Sequence, residues 1–131
     1  CAVIDKYGKE NLHPGDVYII NDPFMGGGTH MSDVGMVMPI FHQGELIAFA
    51  GNKAHWSDIG GMAPGSFTTD ATNIFQEGMC FSGTKLVDRG ELVEPVWDLM
   101  QQYALPPDFP GRHVGPDLLP ADRRKTHQRA V

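Results

Sequence analysis

The chain has 131 residues, 41% of them hydrophobic and 20% charged, which suits one domain with its own core and excludes a wholly disordered chain. Ten Lys and Arg stand against sixteen Asp and Glu, and the net charge of −6 argues against a phosphate-tracking nucleic-acid binder. No apolar run approaches the ~20 residues of a membrane span, and Cys1 and Cys80 permit one disulfide at most, which excludes a disulfide scaffold.

In chain order, residues 2–4 read as the end of an element already in progress, and the whole chain as a piece of a longer protein. Residues 5–9 are polar and contain Gly8, so they read as a turn. His13-Pro14-Gly15-Asp16 reads as a second one, because Pro presets φ and Gly accepts positive φ. Val17-Tyr18-Ile19-Ile20 is β-branched and aromatic, a buried strand that stops at Asn21-Asp22-Pro23. Gly26-Gly27-Gly28 reads as a mobile loop leading into Thr29 and His30.

Residues 34–41 predict a strand, with Pro39 marking an edge or a bulge. Gln43-Gly44 turns the chain and residues 46–50 run back, so 34–50 is an antiparallel hairpin. Residues 51–73 read as loop-rich, and residues 88–91 as a turn. Apolar side chains at 92, 93, 96, 97, 99, 100 and 103 predict one helix near 92–103, with Pro95 tolerated in its first turn. Strands first and one helix after them predict an α+β fold with a mostly antiparallel sheet, residues 1–103 forming the domain. Residues 104–131 hold five of the ten prolines and five Lys or Arg against three acids. That composition predicts a tail packing little against the body.

Two segments resemble each other. His30-Met31-Ser32-Asp33-Val34-Gly35 and His55-Trp56-Ser57-Asp58-Ile59-Gly60 share a His-x-Ser-Asp-(β-branched)-Gly pattern and flank the predicted hairpin. A hairpin returns its two ends to one place. Two imidazoles and one or two carboxylates at one sheet end suit Zn²⁺, Mn²⁺ or Fe²⁺ and leave positions open for water or substrate. Asp58 has four readings: fourth ligand, acceptor orienting an imidazole N–H, general base for an attacking water, or a carboxylate bonding only its own turn.

Other candidates are weaker. His13, His42, His113 and His127 read as ordinary core or surface histidines, and Cys80 as a packed thiol. The triple glycine leaves room for backbone beside His30 or cradles an anion. No Gly-Lys-Ser/Thr follows it, so a Walker A loop is absent.

The segment from Pro14 to Gly35, Asn52 to Gly61, Pro64-Gly65-Ser66, Ile74 to Gly78 and Lys85-Leu86 together resemble the hydantoinase B/oxoprolinase family. The resemblance covers about residues 2–103, and from about 104 the chain departs from it. It implies a cytoplasmic, ATP-coupled hydrolase that opens a cyclic amide such as a hydantoin or 5-oxoproline. A partner hydantoinase A-type subunit or domain would bind ATP and phosphorylate the amide oxygen. By resemblance, His30, Asp33 and His55 hold one divalent metal, Zn or Mn, whose hydroxide attacks the activated carbon; Asp58, from the segment that repeats that of Asp33, is the candidate catalytic residue beside it. The related acetone and acetophenone carboxylases imply an alternative, a ketone carboxylase subunit. A non-catalytic structural or metal-binding fragment is a third.

Overall fold

A computed structural model describes residues 1–66 and 68–103. The expectation for residues 104–131 lies outside the described residues. Among the described residues, seven α-helices and strands follow one another: α1 (Ala2–Tyr7), β1 (Val17–Ile20), β2 (Asp33–His42), β3 (Glu45–His55), β4 (Ser82–Asp88), β5 (Glu91–Leu92) and α2 (Glu94–Tyr103). The strands form one antiparallel sheet in the order β3-β2-β1-β4-β5, which makes the fold α+β.

Successive residues of a strand face opposite sides of its sheet, and β1 shows what covers each side. Ile19 belongs to a core with Met31, Val34, Ile59, Phe81, Leu86 and Met100, so the long 56–81 segment and α2 cover its face. Tyr18 packs with Val3 and Leu12, so α1 covers the other. Both residues are 0% exposed. Each such side chain is worth about 1.5–3 kcal/mol relative to exposure.

The local reading needs four corrections. Residues 5–7 are helical, because α1 continues to Tyr7 and the break comes at Gly8, whose N–H bonds the Ile4 carbonyl at 2.8 Å. The hairpin runs from Asp33 to His55, so residues 51–55 are strand and not loop. Their weak local propensity is overridden by a partner strand that offers backbone groups all the way to Asp33. The helix begins at Glu94, because Leu92 is taken into the short strand β5 opposite Val87. Finally, β4 is a strand that alternation alone did not disclose. It owes its state to pairing with β1 on one side and β5 on the other. Pro39 is placed as its chemistry requires. The β1–β2 ladder covers only Gly35–Val37, so at Pro39 the strand has β3 alone as a neighbour and a missing donor is tolerated.

One buried charge ties the sheet to its turns. Asp16 is 0% exposed. Its carboxylate accepts from Tyr18 Oη, the His13 N–H and the Arg89 N–H, each at 2.9 Å, and from Lys85 Nζ at 3.2 Å. Burial opposes its ionisation, but these donors outweigh burial and lower its pKa to about 2. Burial and the adjacent carboxylate push the Tyr18 hydroxyl up to about 12.

Candidate functional site

The end of β1, the start of β2, the end of β3 and the start of β4 lie at one end of the sheet, so segments 21–32 and 56–81 emerge together. Asn21, 0% exposed, clamps them. Its amide nitrogen donates to the Met31 and Met79 carbonyls, both at 2.8 Å, and its amide oxygen accepts from the Phe81 N–H at 2.6 Å. Asp22 adds a cap, accepting from the Phe24 N–H at 3.0 Å and the Ser82 hydroxyl at 2.6 Å. Of the glycine run, Gly27 is buried and closely packed, whereas Gly26 is exposed with open space around it. The Gly27 N–H donates to the Asp22 carbonyl at 2.8 Å, and a Cβ on Gly27 would lie 2.5 Å from the Asn21 carbonyl carbon.

This frame delivers His30, Asp33 and His55 to one point. The Asp33 N–H donates to the His30 carbonyl at 3.0 Å, closing a turn that Met31 anchors in the core. Asp33 stands directly opposite His55 in the β2–β3 ladder, and the Trp56 N–H extends that ladder by bonding the Ser32 carbonyl at 2.8 Å. Directly opposite residues have neighbouring side chains. His55 Nδ1 accordingly lies 3.1 Å from Asp33 Oδ1, and His30 Nδ1 lies 3.6 Å from Asp33 Oδ2. Thr29 Oγ1 lies 3.1 Å from the same His30 nitrogen.

The carboxylate therefore sits between two imidazoles. The His55 hydrogen bond and, more weakly, the His30 ring hold Asp33 below the usual carboxylate range, so it is charged at neutral pH. A neutral imidazole that donates from Nδ1 keeps its lone pair on Nε2. The imidazole side chains are 75% and 71% exposed, so a ligand from solution reaches them directly. Two imidazoles and a carboxylate suit a zinc- or manganese-type ion by donor chemistry. They touch one another, however, and among the described residues no group of three or more His, Cys, Asp or Glu stands as a ready metal cage.

Asp58 is not brought into contact with these three. Its Oδ1 accepts from the Gly60 N–H at 2.8 Å and the Ser66 hydroxyl at 3.0 Å, and its Oδ2 from the Gly65 N–H at 3.1 Å. Ser66 Oγ in turn accepts from the Ile59 N–H at 2.8 Å. Burial opposes ionisation of Asp58, but the three donors prevail and lower its pKa. The two similar segments thus occupy inequivalent places, since Asp33 opens a strand whereas Asp58 lies in the loop beyond one. Asp58→Asn keeps the Oδ1 acceptor and loses only the Gly65 bond. It is expected to leave metal affinity unchanged and turnover within about threefold, with a stability loss near 1 kcal/mol in thermal unfolding. Loss of metal would instead indicate ligation. Loss of turnover with metal retained would indicate a base or an orienting acceptor.

Cys80 is half-buried, and burial pushes its thiol pKa up, as expected of a packed thiol. An apolar groove of about 330 Å³ lined by Val17, Met36, Met38, Ala50 and Asn52 lies on the sheet and includes none of the three clustered side chains. Two residues of the site escaped the sequence reading. Asn21 looked like a strand terminator, although a polar residue directly after a buried strand is also where a clamp belongs. Lys53 lay in a segment read as loop, and only the register gives it a place.

The profile of one family, hydantoinase B/oxoprolinase, matches residues 1–117 and so takes in the first part of the proline-rich segment. The chain is 35% identical over 89 residues to 5-oxoprolinase 1 of Arabidopsis thaliana, covering 68% of this chain and 7% of that protein. Among solved structures it resembles the ATP-dependent caprolactamase from Pseudomonas jessenii, with a TM-score of 0.73 and 33% identity over 84% of this chain and 19% of that one. It also resembles a nucleotide-free acetone carboxylase, with a TM-score of 0.68 and 27% identity over 76% of this chain and 13% of that one. The chain spans 7–17% of the length of the curated relatives it matches.

Proposed function

Because this chain belongs to the hydantoinase B/oxoprolinase family, we propose that it forms part of a cytoplasmic, ATP-dependent hydrolase of cyclic amides, with its reacting end at His30, Asp33 and His55. The observation that carries the reading is the Asp33 carboxylate held between two exposed imidazoles at one sheet end. The likeness to a caprolactamase and to a 5-oxoprolinase supports a lactam or related ring as the substrate.

The division of labour follows from chemistry. A hydantoinase A-type subunit or domain takes ATP and transfers its γ-phosphoryl group to the amide oxygen, which makes the ring carbon electrophilic. Water then adds to that carbon, the ring C–N bond breaks, and ADP, phosphate and the open-chain amino acid leave. His30, Asp33 and His55 would hold a zinc or manganese ion, which supplies Lewis acidity toward water and carbonyl oxygen. Asp33 accepts from His55 Nδ1, which fixes that ring's tautomer and keeps Nε2 as a donor of electron pairs. Asp58 acts on the site by shaping the loop that follows His55.

The test is ATP hydrolysis by the assembled protein and its A-type partner, with a lactam present or absent, alongside metal content. Lactam-dependent ADP formation with ring opening supports the reading. The likeness to acetone carboxylase supports a second one, a ketone carboxylase subunit. In that case ATP use depends on a ketone and bicarbonate instead of a lactam. Bound metal with neither activity would leave a structural or metal-binding role.

A further inference from the structure

We propose that Lys53 is the oxyanion-binding residue of this site, taking a phosphoryl or carboxylate oxygen of the substrate beside His30, Asp33 and His55. The proposal rests on reading that cluster as the reacting centre.

Register places the lysine. Asp33 pairs with His55 and Gly35 with Lys53, so by the twofold period of a strand Lys53 and His55 project from the same face. The lysine tip reaches the glycine-rich loop. A Cβ on Gly28 would lie 2.9 Å from Lys53 Nζ and 3.6 Å from Asp33 Cβ. Gly28 also has φ +142, a conformation other residues rarely adopt. Gly28 thus clears the way for one ammonium beside the cluster.

The charge there is unspent. Lys6 bonds the Ser82 carbonyl and Lys85 pairs with Asp16 and Asp88, whereas among the described residues Lys53 has no hydrogen-bond or ion-pair partner. The Asp33 carboxylate has turned its oxygens to His55 and His30. An ammonium with free donors beside the cluster attracts an anion there. The proposed chemistry brings such anions there, either the phosphate carried on the activated amide oxygen or a carboxylate on the ring.

The experiment titrates the 131-residue chain, without metal, with inorganic phosphate and separately with acetate, following backbone amide shifts of residues 28–33 and 53–55. Saturable shifts with phosphate that weaken at least tenfold in Lys53→Gln and persist in Lys53→Arg support a phosphoryl site. The same pattern with acetate alone supports a carboxylate site. No saturable shift with either anion, or equal binding by Lys53→Gln, overturns the proposal. In the assembled enzyme, Lys53→Gln is expected to lower kcat at least tenfold where the oxygen it holds is the phosphate on the activated amide, and to raise KM at least tenfold where that oxygen is a ring carboxylate; kcat and KM both within threefold of the unsubstituted enzyme overturn the proposal. Phosphate binding that needs Lys53, in an assembly without lactam turnover, would leave the lysine site standing and remove the hydrolase reading.

Discussion

Replacing Asp33 with asparagine is expected to lower affinity for Zn²⁺ or Mn²⁺ by at least about 100-fold and to abolish measurable lactam-dependent ATP turnover. The substitution keeps the shape and removes the charge that the two imidazoles share, at 3.1 Å from His55 Nδ1 and 3.6 Å from His30 Nδ1. Loss of an outer carboxylate alone costs about 10–100-fold in metal affinity, and loss of a ligand costs more. His30→Ala and His55→Ala each remove one imidazole and are expected to weaken metal comparably, while leaving the other His–Asp contact in place. A metal titration with a competing chelator measures all three. The ¹⁵N shifts of the His55 ring add a readout that turnover does not supply, since Asp33→Asn frees a tautomer that the carboxylate now selects. Metal affinity within twofold of the unsubstituted chain would show that the ion is held elsewhere.

The largest effect on stability is expected at Asp16, at the opposite end of β1. Asp16→Ala leaves Tyr18 Oη, two backbone N–H groups and Lys85 without their buried acceptor, a loss of about 3–5 kcal/mol in urea unfolding at pH 7. That is a large share of the roughly 5–15 kcal/mol that holds a domain together. The carboxylate also carries a pH signature. Its folded pKa of about 2 lies below the ordinary aspartate value of 3.8, so the unfolded chain binds the proton more readily. Its contribution, about 2 kcal/mol, is therefore complete above pH ~4 and is lost as pH falls from ~4 through ~2. Comparing unfolding of the native chain with Asp16→Asn at pH 7, 4, 3 and 2 checks this. The difference between the two is expected to hold down to pH ~4 and shrink below it. A constant difference would assign the cost to packing alone.

Some of this protein is local and therefore legible in its residues. Val17–Ile20 is a strand because four β-branched or aromatic residues lie between a Pro-Gly turn and Asn-Asp-Pro. Gln43-Gly44 is a turn between apolar runs, and the helical period read over residues 92–103 shows without any partner, although the helix itself begins at Glu94. His30, Asp33 and His55 could be named together because a motif repeats around a hairpin and because the chain resembles a known family; Asp33 lies 3.6 Å from His30 Nδ1 and 3.1 Å from His55 Nδ1. The remainder depends on neighbours distant in sequence. Residues 51–55 are strand only because β2 pairs with them, and that pairing sets Asp33 against His55 and Lys53 over Gly28. Asp58 looks like the twin of Asp33 in sequence, yet Ser66 and two backbone N–H groups claim its oxygens. Likewise, β4 and the Asn21 clamp exist through contacts some sixty residues apart. Turn chemistry and periodicity act within a few residues, whereas register, burial and the destination of a carboxylate's hydrogen bonds are decided by what the rest of the chain places across from them.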